Sequence, residues 1–410
     1  RRKRGAQPGH KSHNRPPFPP ERVDRSFDVK PEGCKKCGAG LAGTDPRPHC
    51  HQFAEGPDPR AVVTEHRLHA LCCGKCGTVT QADLPEGVPT GAFGPKLQAL
   101  VGLLTGAYRL SKRSCREFLD DVCGVTMSLG SVTACEQAVS QALEAPYQEA
   151  LEFAQRQPVK GADETGWREN GAKAYLWVMV TAMVTVFAIR ARRTREVAEE
   201  LLGGVVGILC SDRFSAYLYW PVRRHQFCWA HLKRRFEEFL LCEETSQRVG
   251  RQLLAEVRLL FECWYRVRDG TDSRTAFKKL MRPVRRRVKA LLQEGTACAD
   301  PETAGTCREL LEYEPALWTF VFHEGVEPTT NEVERELRHG VLYRKGCFGT
   351  QSEAGSRFVE RLLTARATLR RQRRSVVRFV TEACQAALVG AAPPSLLPQA
   401  APAAQLSAAA

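Results

Sequence analysis

Two short apolar, β-branched runs that each stop at an aspartate constrain this chain most: VKGADET, stopping at Asp163, and VVGILCSD, stopping at Asp212. Runs of this length read as strands, and the second, apolar almost throughout, as one buried on both faces. Between them, AKAYLWVMVTAM and VTVFAIR read as the two strands of a hairpin, and TREVAEELLGG as a helix with Thr194 as its cap. RRHQFCWAHLKRRFEEFL adds a short strand and a basic helix. The βββαβα pattern over 157–240 predicts an α/β domain with both aspartates at strand ends. A third acid, Glu334, falls in TTNEVERELR, which reads as helix. Two strand-end aspartates and a helix glutamate can converge on a pair of Mg²⁺ ions, hard cations that prefer carboxylate oxygen. Such a pair, about 3.5–4 Å apart, activates a water and stabilises a leaving 3′-oxygen in phosphodiester cleavage. Asp163, Asp212 and Glu334 are therefore the candidate catalytic and magnesium-binding residues, with Mn²⁺ as a substitute ion. Two neighbouring acids compete with them. Glu164 follows Asp163, so in a strand it points to the opposite face. Glu332 lies about 200° around the helix from Glu334.

The chain around these acids is basic. Its 410 residues carry a formal net charge of +14, a balance that favours a polyanionic partner, here nucleic acid. That length predicts two to four domains. Hydrophobic residues make up 43%, enough for globular folding. Tyr175–Ile189 is uncharged but falls short of the ~20 apolar residues that span a bilayer, so no membrane partner is expected. Most of the 17 cysteines stand singly in apolar or helical stretches, as in a reducing cytosol rather than a secreted disulfide framework.

Residues 1–30 are Pro-rich and basic, a disordered arm. The module 31–90 holds two CxxCG knuckles, Cys34–Cys37 and Cys73–Cys76, with Val62–Ala70 alternating like a strand between them. Two such pairs brought together by a hairpin form a zinc-ribbon-like Cys₄ site for one structural Zn²⁺; the plain alternative is four unpaired structural cysteines. Residues 91–155 read as helices, with Ser111 as an N-cap and Gly124 as a stop. They predict either a helix-turn-helix-like unit, with Lys112, Arg113 and Arg116 on phosphate, or a helical hairpin packed on the next domain. Residues 241–325 are mostly long amphipathic helices, lying between the two stretches that carry the acids, 156–240 and 326–390. From Arg357 to Arg378 there are eight arginines against one acid, Glu360, with Phe358, Leu362, Ala365 and Leu369 as the apolar stripe. This predicts a helix with an arginine-covered outer face against the DNA backbone, Arg370, Arg371, Arg373 and Arg374 among the contacts. Arg344 and Lys345, just before a Gly-containing loop, join them. The Ala/Pro tail 391–410 is expected to be disordered.

Taken together, RGAQPGHKSH, the paired CxxCG knuckles, GADETGW, CSDRFSAY, CWAHLKRRF, GVEPTTNEVERELR and RKGCFGTQSEAGSRF resemble transposases of the insertion sequence 66 family, over nearly all of the chain to about residue 390. The resemblance implies a ribonuclease H-like catalytic core with an Asp-Asp-Glu triad, carried onto Asp163, Asp212 and Glu334, and a helical insertion, residues 241–325, between the last core strand and the glutamate helix. It implies metal-dependent cutting of element ends and joining of the 3′-hydroxyl to target DNA, in the bacterial cytoplasm at the nucleoid. It also implies a homo-oligomer on DNA, with accessory proteins as further partners. The family shows an Asn pair before the glutamate where this chain has Thr330 and Asn331, and it has sequence upstream of Arg1. Cys228 and His231 in CWAH resemble a CxxH element of related transposases, which sets His231 beside DNA or the site. The alternative is a catalytically retired transposase that survives as a zinc-containing DNA-binding protein. A third reading is a nuclease acting on RNA or junctions.

Overall fold

The structure, a computed structural model, describes residues 17–56 and 59–398. The chain divides into two units, Arg1–Arg60 and Ala61–Ala410. In the first, residues 1–16 of the expected basic arm lie outside the described residues, and Pro20–Arg22 forms a single 3₁₀ turn with no buried side chain. Its Cys34 knuckle is closed by Cys34 N–H donating to Ala39 O and Gly38 N–H donating to Cys34 O, both at 2.8 Å.

In the second unit, β1 (Ala70–Cys72) pairs antiparallel with β2 (Val79–Gln81). The turn between them repeats the same geometry: Cys73 N–H to Thr78 O at 2.9 Å and Gly77 N–H to Cys73 O at 2.8 Å. Gly38 and Gly77 take left-handed φ of 75° and 73°, which is why both knuckles carry glycine after the second cysteine. The strand expected over Val62–Ala70 is not formed before Ala70. Val62 and Val63 are exposed and face no partner strand, so alternation there has no sheet to serve.

Helices α1 (Pro95–Gly102), α2 (Lys112–Cys123), α3 (Leu129–Ala142) and α4 (Glu144–Gln155) follow. Ser111 caps α2 by accepting the Ser114 N–H at 3.0 Å, and Gly124 ends it in the left-handed conformation. The five-stranded sheet comprises β3 (Val159–Glu169), β4 (Ala172–Val180), β5 (Thr185–Arg190), β6 (Ile208–Ser211) and β7 (His225–Phe227), with α5 (Arg195–Leu202) before β6. Its order is β5-β4-β3-β6-β7; β3, β6 and β7 run parallel, and β3–β4 and β4–β5 are antiparallel. The chain is thus mixed α/β. β3 does not stop at Asp163 as expected. It leaves β6 there and continues against β4 alone to the Asn170-Gly171 turn, where both residues have positive φ, the conformation a two-residue hairpin loop requires. Thr194 sits at the start of α5 but makes no side-chain cap.

After α6 (Trp229–Glu238) come α7 (Glu244–Arg268), α8 (Arg274–Gly295), α9 (Pro301–Glu312) and the short α10 (Thr319–Phe322). They close a second core in which Trp264, Phe277 and Phe320 pack together. The chain then returns through α11 (Asn331–Cys347), α12 (Glu353–Arg371) and α13 (Val376–Leu388). Among the described residues no helix is long and apolar enough to cross a membrane.

The arginine-rich α12 is not a helix with a solvated outer face. From Ser356 to Leu369 nearly every residue is buried. β5 is an edge strand, and an uncovered edge leaves a row of N–H groups without partners. α12 supplies them. Phe187 N–H donates to Thr364 Oγ1 at 2.9 Å, Thr185 N–H to Thr368 Oγ1 at 3.1 Å, and Ile189 N–H to the Glu360 carboxylate. The spacing of 360, 364 and 368 is one helical turn per step, matched to alternate residues of the strand. Thr364→Val keeps the shape and leaves the Phe187 N–H buried without a partner. It should lower stability by about 1–3 kcal/mol, read as a shifted urea midpoint at unchanged slope; no shift would mean water reaches that edge.

The tail read as disordered from residue 391 is placed through 398. Leu396 is fully buried in the main core, Ser395 Oγ donates to Glu149 at 2.8 Å, and Gln372 Nε2 donates to Leu396 O at 2.8 Å. One apolar side chain reaching the core fixes a segment whose composition alone says otherwise. Residues 399–410 of that tail lie outside the described residues.

Candidate active site

The β3–β6 pairing runs Val159–Ile208, Lys160–Leu209, Gly161–Cys210. Continued by two residues, the same register sets Asp163 beside Asp212. Both side chains therefore leave the sheet at the carboxyl end of its parallel half, where the backbones part and a ligand can enter. Asp163 Oδ1 accepts the Glu164 N–H at 2.8 Å, and Asp212 Oδ1 accepts the Phe214 N–H at 2.9 Å. Burial pushes the Asp163 carboxyl up to about 7, and the negative charges of Glu164 and Asp212 push the same way. A cation beside two such carboxyls would favour their charged form.

Strand alternation sends Gly161, Asp163, Thr165 and Trp167 to one face of β3, and α11 lies on that face. A Cβ on Gly161 would stand 2.4 Å from Val333 Cγ2, and one on Gly340 would stand 2.0 Å from Leu176 Cδ2. The two glycines thus let α11 approach the strands closely at both ends. Tyr343 stacks on Trp167 at 5.6 Å between centroids. Glu334 sits in the first turn of this helix, half-buried.

The rival acids are occupied elsewhere. Glu164 turns to the opposite face, where it accepts the Tyr217 hydroxyl and Arg193 Nε, the latter at 2.7 Å. Glu332 is tied to Arg371, which also reaches Glu336 at 3.3 Å. On α11, then, Glu332 and Glu336 hold α12 while Glu334 turns toward the start of α6.

There Glu334 Oε1 lies 3.3 Å from Arg234 Nη2 and 3.6 Å from His231 Nδ1. Cys228, His231 and Glu334 bring their ligand atoms within 4.8 Å of one another. Among the described residues Asp163, Asp212 and Glu334 do not close to that distance as a trio. The Cys228 hydrogen bond holds His231 above its ordinary pKa. Burial pushes the Cys228 thiol up, but hydrogen bonds from His231 and Thr330 outweigh it and hold it below the usual value. Thr330 N–H donates to Cys228 Sγ at 3.3 Å and Trp229 N–H to Pro328 O at 2.9 Å. The CWAH segment therefore clamps the entry to the glutamate helix. Sequence reasoning set His231 beside DNA or the site and missed that Cys228 and Thr330 form one joint with it, because the partners are about a hundred positions apart.

The cations expected on DNA divide into two groups. Arg113, Arg116, Lys345, Arg370 and Arg373 are exposed. Lys112 instead bridges to Glu136 at 2.9 Å and Thr133 at 2.8 Å, and Arg344 donates to the Gly166 carbonyl. Arg371 is taken by the α11 acids, and Arg374 donates to Ser395 O at 3.0 Å and to Leu397 O at 3.3 Å. Cys37, Cys73 and Cys76 are exposed and Cys34 is half-buried. Backbone N–H groups of Cys37 and Lys36 hold Cys34 below its ordinary pKa, and Thr78 does the same for Cys76.

An α/β chain with paired acids where its parallel strands end finds its class among the transposases: residues 90–357 match the model of one transposase family. That family is described as Transposase IS66 family, and the chain belongs to it. The matched stretch contains Asp163, Asp212 and Glu334 and leaves out both cysteine knuckles. No curated protein matches the chain.

Proposed function

We propose that the chain is a DNA transposase in which Asp163, Asp212 and Glu334 hold two divalent cations at the end of a ribonuclease H-like sheet. The observation that carries this reading is the register that sets Asp163 beside Asp212 on the face of β3 covered by the Glu334 helix. The sheet, three antiparallel strands continued by two parallel ones with the glutamate on a later helix, supports the fold assignment. The donors are all carboxylate oxygen, which fits Mg²⁺, with Mn²⁺ as a substitute. When bound, such a pair activates water for strand cleavage and stabilises both oxygens when the freed 3′-hydroxyl attacks target DNA. The chain's own groups set the stage. Asp163 and Asp212 would hold the cations through carboxylate oxygen, His231 and Arg234 aim Glu334, and Arg113, Arg116, Lys345, Arg370 and Arg373 hold the DNA backbone. The protein works as a homo-oligomer on DNA.

The thiolates of Cys34, Cys37, Cys73 and Cys76 are proposed zinc ligands, supported by the identical turns of the two knuckles. Protein purified without added metal should contain about one zinc per chain. Cys34→Ser with Cys73→Ser should release it; unchanged zinc in that variant would remove the assignment.

The ion pair between Arg234 and Glu334 favours a second reading, a retired transposase that binds DNA without cutting it. Mg²⁺-dependent nicking of DNA carrying the ends of the chain's own element separates the two. Cleavage supports the enzyme; tight binding with no cleavage in Mg²⁺ or Mn²⁺ supports the retired protein.

A further inference from the structure

α11 ends in an unusual way. Its C-terminal cap is Phe348, in the left-handed conformation at φ 61° and 77% exposed. Glycine or asparagine ordinarily fills that position, because a side chain there is strained. Strain of this kind persists where the surrounding structure over-determines it, and it gathers at functional sites.

The loop is held on both sides. Phe348 N–H donates to Arg344 O at 2.9 Å. The next residue, Gly349, passes so close to β3 that a Cβ there would meet Arg168 O at 2.2 Å. Thr350 N–H then donates to Arg168 O at 2.9 Å, Asn170 N–H donates to Thr350 O at 2.8 Å, and Trp167 Nε1 donates to Thr350 Oγ1 at 3.1 Å. The ring is therefore held out in water by a rigid frame. Lys345, one helical turn before it, is exposed; Arg168, whose backbone holds the loop, is exposed and donates through Nη1 to Gly171 O at 3.0 Å; Arg344 is half-buried and donates to the Gly166 carbonyl. Glu169, on the strand beside the loop, is engaged by the Ser356 hydroxyl.

We propose that Phe348 is a base-stacking post: its ring stacks on an unpaired or displaced base of bound DNA while Lys345 and Arg168 take the neighbouring phosphates. An aromatic face in a cationic surround is what single-stranded or unstacked nucleic acid recognises. A second copy of this chain fits worse, since a symmetric contact would set the same cations against each other. From Glu334 to Phe348 the helix covers about 20 Å. A duplex running along α11 would bring the post about six base pairs from the bond that is cut. The DNA partner rests on the function proposed above; the stacking does not follow from it.

The test uses the full chain and two short labelled duplexes, one with a central mismatch bubble and one with abasic residues in the bubble. Phe348→Ala should bind the bubble duplex about 5- to 150-fold more weakly than wild type, the range one stacked base contributes. Phe348→Trp should bind like wild type. On the abasic duplex wild type should fall to the level of the alanine variant. Because the ring is exposed, the melting temperature of each variant should match wild type. Equal affinity of wild type and Phe348→Ala for the bubble duplex overturns the stacking post. So does a change in sedimentation with DNA binding intact, which would make the ring a protein contact. Failure of wild type to bind either duplex overturns the DNA reading itself.

Discussion

Glu334→Gln, Asp163→Asn and Asp212→Asn should each lower Mg²⁺-dependent nicking and strand transfer by orders of magnitude while DNA binding survives. Each change keeps shape and removes one negative charge from the cation site, and both steps use the same ions. A fall of at least about 100-fold is expected even if the ion is only misplaced. Raised pH should help wild type. The Asp163 carboxyl, pushed to about 7 by burial and by neighbouring Glu164 and Asp212, must lose its proton to hold a cation. Apparent Mg²⁺ affinity should therefore climb as pH rises through about 7 and level off above it. Asp163→Asn should lose that dependence together with the activity. Glu332→Gln should keep nearly full activity, because Glu332 faces Arg371. Glu164→Gln is expected to cost stability rather than chemistry, since its carboxylate is buried with Tyr217 and Arg193 on the other face of β3. Full activity in Glu334→Gln with loss in Glu332→Gln would mean the opposite face of α11 does the work.

DNA affinity should fall steeply with salt. A protein that neutralises six to ten phosphates loses about 10³- to 10⁵-fold in affinity between 50 and 200 mM salt, and a chain of formal net charge +14 belongs to that regime. Changing Arg113, Arg116, Arg370 and Arg373 to Ala should weaken binding to all sequences alike. The slope of log K against log salt should flatten by about 0.9 for each phosphate that is no longer neutralised. Arg371→Ala and Lys112→Ala should behave differently. Their charges already face Glu332, Glu336 and Glu136, so the loss should appear in the denaturation midpoint and hardly in the salt slope. Filter binding over a salt series, run beside a urea melt, separates the two groups. If all six variants move the slope equally, the ion pairs open when DNA binds.

The contrast between these two sets of arginines shows where the sequence stops speaking. Eight arginines between Arg357 and Arg378 look like the outer face of one helix, because periodicity records which positions are apolar and says nothing of what polar ones touch; five of them lie in α12, Arg373 and Arg374 in the turn after it, and Arg378 in α13. Glu360, Thr364 and Thr368 read as ordinary helix surface. They became the covering of an edge strand only once β5 was known to lie at the sheet's edge, and that is decided by strand order. The length of β3 was within reach. Asn170-Gly171 is a strong two-residue hairpin signal, and it sets the end of β3 beyond Asp163. What sequence did reveal is local chemistry: the β-branched run into Asp212, the Ser111 cap and Gly124 stop of α2, and the opposed faces of Asp163 and Glu164. The joint of Cys228, His231, Thr330 and Glu334 was not readable, because the helical insertion that separates its halves carries no trace of their meeting.

Mn²⁺ bound to crystals of the full chain and located by anomalous scattering tests the carboxylate site most directly. Two peaks about 3.5–4 Å apart, one shared by Asp163 and Asp212 and the other reaching Glu334, are the predicted result. A single peak held by Cys228, His231 and Glu334, with none at Asp163 and Asp212, would contradict it.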